Sequence, residues 1–455
     1  MPAAFQGIST LSSALEAFQT QIDTTGQNIA NVNTPGYVEQ TTNLLEAPAT
    51  TVTEGATVAI GSGVTVQSIT NIQNAYLQGA SSSAASDLGK ANAQAQTTSS
   101  VNSIVADPNG TGIASQIDAF YNSWSSAASS PSSATMLGVL QAAQTLGSTL
   151  NDTYSSIDSV KQTASQQVTG LLQQVQTDVN QIASLNSSIN TSKLNGSTPN
   201  DLLDERDEAV SNLSSLINVT VNKSADGTYS VSSGNLILVD QSGSRSVPTG
   251  FDPTTGTLSN SSGSYPVTSG QISGLMTSIN QIDSYESSLT TLANQMSSSV
   301  NSVYSTGANS SGQTGNAFFT GSLQQGTFGV SSALSTNPNS LAVGVSGAAS
   351  DTGVAQQIAN LGTGTLSGLG GQTPSDYYGQ ILSQIGSDGQ QATSSQTTQQ
   401  AISAQVTSQV QSVSGVNLDT EMSNLLRFQS SYQAAAQALS AMNQTVESML
   451  TALNV

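Results

Sequence analysis

Residues 8–32 read ISTLSSALEAFQTQIDTTGQNIANV, and residues 418–453 read LDTEMSNLLRFQSSYQAAAQALSAMNQTVESMLTAL. Counted in sevens, Ile8, Leu15, Ile22 and Ile29 occupy one heptad position, and Leu11, Phe18, Thr25 and Val32 occupy the other. Alternating steps of three and four residues sustain an apolar seam, the pattern of a coiled-coil helix. At the other end Leu418, Leu425, Tyr432, Leu439, Val446 and Leu453 are each seven apart. Met422, Gln429, Ala436, Asn443 and Leu450 fill the second position less purely. Asn417 is a candidate N-cap, with Asp419 and Glu421 in the first turn to complement the helix dipole. An ordinary amphipathic helix packed on its own domain would show a similar stripe. Burying one such seam offsets only part of the backbone entropy of ordering the helix. Each arm therefore needs the other, and neighbouring copies besides. Seams at opposite ends of one chain imply a nested architecture, with the termini together and the middle looped outward.

The N-terminal helix must stop near Val32. Thr34 precedes a proline, which pushes it out of the helical region, and Pro35-Gly36 supplies the central pair of a type II turn. Residues 55–69 alternate around Gly61 and Gly63 and predict a short hairpin. Residues 91–195 are rich in Ala, Gln and Ser; Val168, Leu171, Val175, Ile182, Leu185 and Ile189 keep helical spacing until Asn195-Gly196. Thr198, Pro199 and Asp201 read as N-cap, N1 and N3 of a further helix to about Ile217. Residues 218–268 turn strand-like, with Asp226-Gly227 as a hairpin turn. Helical spacing resumes from Ile272 to Val303 and again over 376–413; 318–350 reads irregular to β, and the Gly-rich stretch 362–371 reads as a loop.

The fold class expected is mainly α with a small β-rich insertion. Its terminal helices pair as a coiled-coil domain, a long helical bundle follows, and a β-rich segment lies outermost. The domains expected are 1–45 with 414–455, the assembly domain, disordered in the free chain; 46–217 with 269–413, mainly helical; and 218–268, a β-rich insertion.

Composition narrows the function. The chain of 455 residues holds no Cys and no His, which removes disulfides, thiolate and imidazole metal sites, and Ser-His-Asp chemistry. Its 7 Lys and Arg stand against 27 Asp and Glu, a formal net charge of −20, so the basic footprint of a nucleic-acid binder is missing. Charged residues are 7% of the total, leaving a surface of Ser, Thr, Gln, Asn and Gly. No run approaches the ~18 apolar residues of a membrane span. No Lys or Arg precedes Lys90, so the N-terminus lacks the basic start of a secretory signal peptide. An extracellular composition without the usual export tag is the first functional clue.

Asp201, Asp204, Glu205, Asp207 and Glu208 could form a metal or acid–base site, but such a cluster more commonly opens a solvated helix. The glycines at 362–371 have neither a preceding strand nor a following Lys, against a phosphate loop. The Asn-x-Ser/Thr triplets, such as Asn186-Ser187-Ser188, follow from abundant Asn and Ser. Trp124 and Tyr121 read as core rather than as a glycan platform.

Asn28-Ile29-Ala30-Asn31-Val32-Asn33-Thr34-Pro35-Gly36-Tyr37 resembles the N-terminal signature of the flagellar rod, hook and hook-associated axial proteins. Gly415-Val416-Asn417-Leu418-Asp419, with Asn424-Leu425-Leu426-Arg427-Phe428-Gln429 and Tyr432-Gln433-Ala434, resembles their C-terminal signature. The Leu-Arg-Phe-Gln form is nearer the hook-associated members than the hook protein. Gln181-Ile182-Ala183-Ser184-Leu185-Asn186, Asn200 to Asp207 and Gly315-Asn316-Ala317-Phe318-Phe319 resemble internal stretches of the same members. Relatives commonly carry a basic residue two positions after Pro-Gly-Tyr, where this chain has Glu39.

The resemblance implies a structural, non-enzymatic subunit at the junction of hook and filament. It implies export by the flagellar type III apparatus without a cleaved signal and an extracellular place in the flagellum. The partners implied are identical subunits in a ring, the hook protein, hook-associated protein 3 and a flagellar export chaperone; no cofactor, metal, nucleic acid or membrane is implied. The assembly interface would be formed by Ile8, Leu11, Leu15, Phe18, Ile22, Ile29, Val32, Leu418, Met422, Leu425, Tyr432, Leu439, Val446, Leu450 and Leu453. Asn31, Asn33, Thr34, Pro35, Gly36, Tyr37, Asn417, Arg427, Phe428 and Gln429 would carry the family motif, with Glu39 the expected acid for Arg427. The alternatives are the hook or another axial protein of the same family, or a carboxylate-based extracellular hydrolase. A helical middle argues against the hook protein, which is β-dominated outside its arms, and the Asn-Thr-Pro-Gly-Tyr turn argues against flagellin.

Overall fold

The computed structural model describes residues 2–34, 36–53, 57–107, 110–224, 227–261, 263–309, 312–335, 340–346, 348 and 350–453. Helix α1 (Pro2–Asn31) leads into β1 (Gln40–Glu46), β2 (Thr50–Thr53), β3 (Thr57–Ile60) and β4 (Val64–Asn71). β1 pairs antiparallel with β4, from Gln40 opposite Asn71 to Glu46 opposite Val64, and β2–β3 form a second hairpin between them. The single hairpin expected at 55–69 is thus replaced by two nested ones. β1 is mostly polar and carries no apolar alternation by which to recognise it.

Four helices follow: α2 (Ala75–Val105), α3 (Ile113–Ser129), α4 (Ser133–Leu194) and α5 (Asn200–Leu216). α4 ends where Gly196, at φ +79°, takes the left-handed conformation that its lack of a Cβ permits. α5 starts one residue later than expected. Pro199 occupies the cap position, no side chain caps the helix, and Thr198 instead offers its carbonyl to the Asn200 amide.

Residues 218–268, read as one insertion, carry two sheets. β5 (Thr220–Lys223), β6 (Tyr229–Ser233), β7 (Leu236–Asp240) and β8 (Gly243–Ser244) form a four-stranded antiparallel meander. β9 (Gly250–Asp252), β10 (Thr257–Asn260) and β11 (Gly263–Pro266) form a three-stranded one. The expected Asp226-Gly227 turn is half outside the described residues; Gly227 has φ +87°. Beyond them lie α6 (Gln271–Tyr304), the pair β12 (Phe319–Thr320) and β13 (Gly329–Val330), α7 (Ser332–Ser335), α8 (Gly353–Leu361), α9 (Pro374–Ser414) and α10 (Leu418–Leu453).

The chain forms two compact units. One comprises Met1–Ser86, Gln174–Val247 and Gln400–Val455; the other comprises Asp87–Gln173 and Pro248–Gln399. β5–β8 belong to the first and β9–β11 to the second. In the first unit α1 packs against α10 and against the β1–β4 ribbon. The second unit is built round an aromatic cluster of Phe120, Trp124, Tyr304, Phe318, Phe319 and Phe328, all at most 3% exposed. Asn301 Oδ1 accepts the amides of Phe318 and Phe319 at 2.8 and 2.9 Å, which fixes both rings inward. Trp124 and Tyr121 are core residues, as their sequence context predicts.

Lys161 on α4 contacts Asp158 at 3.1 Å, Asp283 at 3.2 Å and Glu286, the last of which is 5% exposed. Lys161→Met removes the cation and leaves the Glu286 carboxylate buried without one. Because Lys161 itself is 23% exposed, the expected loss is about 1–3 kcal/mol, below that of a fully buried pair. Urea melts of variant and parent measure it; an unchanged midpoint would show that water already screens Glu286.

Candidate assembly interface

Two contacts fix how α1 and α10 pair. Asn28 Nδ2 donates to Glu421 Oε2 at 3.2 Å, and a Cβ placed on Gly7 would collide with Met442 Cε. The two points are equally far apart on the two helices and run in opposite senses, so the pair is antiparallel. The helix pairing expected from the heptads is present.

On α1 the expected Ile8, Leu11, Leu15, Phe18, Ile22 and Ile29 are half-buried, as is Val32 just beyond it. The most deeply buried residues of this helix are Ala17, Thr24, Thr25 and Asn28. On α10 Leu425, Tyr432, Leu439 and Val446 are half-buried. The second position of the expected seam needs correction. Met422 is 49% exposed and Leu450 47%, Gln429 and Asn443 are exposed, and only Ala436 of that position is half-buried; at the first position Leu418 is 45% exposed. The position one residue earlier faces inward instead, with Glu421 at 3%, Ala435 at 8%, and Phe428 and Met442 half-buried. Phe428 and Met442 are apolar where the expected position holds Gln429 and Asn443, so burial rotates the helix toward them. The charge on Glu421 hides this position from a hydrophobicity count. The Leu453 side chain lies outside the described residues.

Glu421 is accommodated because Asn28, 2% exposed, is waiting for it. Asn28 also donates to Gln40 O at 2.9 Å, and its Oδ1 accepts from Tyr37 Oη at 2.8 Å and Gln40 N at 3.0 Å. One carboxamide thus ties together α1, the segment after it, β1 and α10. The turn carrying the N-terminal signature closes beside this point. Asn31 Oδ1 accepts from Thr34 Oγ1 at 3.1 Å, Tyr37 N donates to Thr34 O at 3.2 Å, and Gly36 takes φ +77°, as the third position of a type II turn requires. Pro35 lies outside the described residues and Asn33 is exposed. Asn417 caps α10, its Oδ1 accepting from the amides of Asp419 at 3.0 Å and Thr420 at 3.2 Å.

Arg427 does not pair with Glu39 among the described residues. It donates to Asn424 Oδ1 at 2.9 Å and lies 5.0 Å from the centroid of the Phe428 ring. The Glu39 amide donates to Ser414 O, and burial, with Glu421 nearby, raises the Glu39 carboxyl pKa.

The acidic run on α5 differs from the solvated start expected. Asp201, Glu205 and Glu208 are exposed, but Asp204 and Asp207 are half-buried. Asp204 accepts from Asn71 and from the Val38 amide; Asp207 accepts from Gln73 Nε2 at 2.8 Å, Gln78 Nε2 at 2.9 Å and the Tyr229 hydroxyl. Beside them Arg206, 1% exposed, stacks 3.4 Å from the Tyr229 ring centroid and donates to Asn186 Oδ1 at 3.2 Å and Gly227 O at 2.9 Å. Asn186 also holds both backbone groups of Tyr229. Two internal stretches quoted from the sequence therefore meet on β6 as one polar core.

Burial pushes the Asp204 carboxyl up to about 7, against the Val38 hydrogen bond and helped by Asp207 and Asp201. Burial and the carboxylates of Asp204, Asp201, Glu421 and Glu39 push the Tyr37 hydroxyl up to about 12. Between pH ~4 and ~7 the folded chain therefore holds a proton on Asp204 that the unfolded chain releases. The stability contribution is present at low pH and is lost as pH rises through ~7. The first unit should melt higher at pH 5 than at pH 7.5. Asp204→Asn keeps an acceptor for Asn71 and should flatten this slope, leaving the part due to Glu39, Asp178 and Asp207, which burial also raises. An undiminished slope would assign the proton elsewhere.

Among the described residues no group of acidic side chains is arranged to hold a metal ion, and no helix is long and apolar enough to cross a membrane.

Three family models match the chain in order. The model of flagella basal body rod proteins covers residues 8–37, that of the flagellar hook-associated protein FlgK helical domain covers 98–319, and that of the flagellar basal body rod FlgEFG protein C-terminal region covers 407–452. Flagellar hook-associated protein 1 of Bacillus subtilis is 26% identical over 506 residues, spanning 100% of this chain and 99% of that protein. Its counterpart in Salmonella typhimurium is 28% identical over 258 residues, 55% of this chain and 46% of that one. A solved structure of the flagellar hook junction protein FlgK from Burkholderia pseudomallei aligns with TM-score 0.48 and 28% identity, over 53% of this chain and 46% of that chain.

Proposed function

This chain belongs to the family of flagellar hook-associated protein 1, and from that membership we propose that it is a structural axial subunit joining hook to filament in the bacterial flagellum. The observation that carries the reading is the pair α1–α10. Its two helices lie at the ends matched by the two basal body rod family models, and its seam side chains are only half covered within one chain. The match of a hook-associated helical domain to the middle favours this member over the hook protein.

The finer assignments rest on this reading. Identical subunits form a ring in which the half-covered seam and the exposed Leu418, Met422, Leu426 and Leu450 meet neighbouring copies. The terminal arms, residues 1–45 and 414–455, gain their full order in that ring. The hook protein, hook-associated protein 3 and an export chaperone are its partners. The type III apparatus exports it to an extracellular place in the flagellum. It is not an enzyme: the inward carboxylates Asp204 and Asp207 are engaged by amides and a tyrosine, which supports a structural role.

A deletion strain tests the function. Hooks should form, filaments should be missing, and flagellin should collect in the medium. Filaments of ordinary length on the deletion strain would refute the junction role.

A further inference from the structure

Apart from one position, the α10 seam is a repeat of interchangeable parts. Leu425, Tyr432, Leu439 and Val446 follow one another at one heptad position, and Phe428, Ala435 and Met442 at the other. Sliding α10 along α1 by seven residues replaces apolar side chains with apolar side chains, so the apolar contacts discriminate poorly between registers. A single buried polar residue in such a seam is the common means of choosing one.

Glu421 is that residue here, 3% exposed. The side-chain donors that reach it are Asn28 Nδ2 at 3.2 Å and Asn424 Nδ2 at 3.5 Å. Asn424 travels with α10 and carries no register information. Asn28 belongs to α1 and cannot follow a slide, because Tyr37 and Gln40 hold its remaining polar atoms. Displacement by one heptad therefore takes the Glu421 carboxylate away from that fixed partner, opposite Gln21 in one direction and past the end of α1 in the other. Glu39, an acid from outside the pair that lies close enough to feel its charge, only repels it.

We propose that Glu421 is the register-determining residue of the terminal helix pair, selecting through Asn28 one heptad alignment of α10 on α1. The proposal rests on the terminal pair being the assembly element: neighbouring copies can interlock only if every copy presents the same register.

The chain has no Cys, so engineered disulfides read the register without background. Gly7→Cys with Met442→Cys reports the observed alignment. Gly7→Cys with Ala435→Cys or with Met449→Cys, each also carrying Met442→Ala to make room, reports a slip of one heptad either way. Crosslinking is read by gel mobility, both on the chain shed into the medium and on axial structures sheared from cells, so variants defective in assembly are still scored. The parent should favour the 7–442 crosslink at least tenfold over either slipped one. Glu421→Leu, which completes the apolar seam, should bring the three yields within about threefold of one another. Glu421→Gln keeps an acceptor for Asn28 and should restore the parental preference. A Glu421→Leu chain that keeps the tenfold preference overturns the proposal. A parent with no preference in either sample overturns the antiparallel pairing itself. Loss of filaments with the register intact would point to the assembly reading instead.

Discussion

Leu439→Asp should abolish incorporation of the chain into the flagellum while leaving the aromatic core of the second unit at its parental melting temperature. Leu439 sits mid-seam on α10, half-buried, between Tyr432 and Val446. An aspartate there forfeits roughly 1.5–3 kcal/mol of apolar burial. It also adds the desolvation cost of a carboxylate with no cation beside it, several kcal/mol. Every copy in a closed ring bears that penalty, so the effect on assembly multiplies. The second unit has its own core, so calorimetry should show its transition unmoved. Electron microscopy of cells expressing the variant should show hooks without filaments. Normal filaments would mean that Leu439 is outside the buried seam.

Phe318→Ala should have the largest effect on stability. Its ring is 0% exposed and lies 5.4 Å from Trp124, 5.3 Å from Tyr304, 5.9 Å from Phe120 and 4.8 Å from Phe319, centroid to centroid. Removing it opens a cavity that four rigid rings cannot collapse to fill, which costs about 3–5 kcal/mol. For a unit of this size that is a fall in Tm of roughly 10 °C. Thermal melting followed by near-ultraviolet circular dichroism, dominated here by Trp124, measures it directly. A fall of under about 3 °C would show that the cluster repacks.

The terminal helices and their pairing were legible in the sequence because seven-residue repeats survive any composition. The inward position of Glu421 was not. A carboxylate in a seam reads as surface until its partner is known, and Asn28 lies 393 residues away along the chain. The neighbouring position offered a signal, since Phe428 and Met442 are better seam residues than Gln429 and Asn443. Asp204 and Asp207 were hidden for the same reason. Their partners come from the segment before β1, β4 and the segment after it, α2 and β6, and only tertiary contact distinguishes them from the exposed Asp201 and Glu205. The strand β1 escaped because its pairing with β4 draws on backbone hydrogen bonds rather than on an apolar face.

Arg427 illustrates a limit of charge reasoning. With few cations in the chain, an acid partner was the natural expectation, yet the guanidinium lies against Phe428 and Asn424, and Glu39 faces another acid. Counting charges selects plausible pairs, but the antiparallel register decides which groups meet. Residues 181–186 and 200–207 are the converse case. Nothing in their spacing links them, and they converge because Arg206 and Asn186 both clamp Tyr229.

The central claim is that this chain stands between hook and filament, and its position is the most direct test. An epitope inserted at the exposed Asn195-Gly196 turn can be labelled with gold on intact flagella and located by electron microscopy. The label should fall in one narrow band where the curved hook meets the filament, and nowhere along either. Label spread along the filament, confined to the basal body, or scattered over the cell surface would contradict the account.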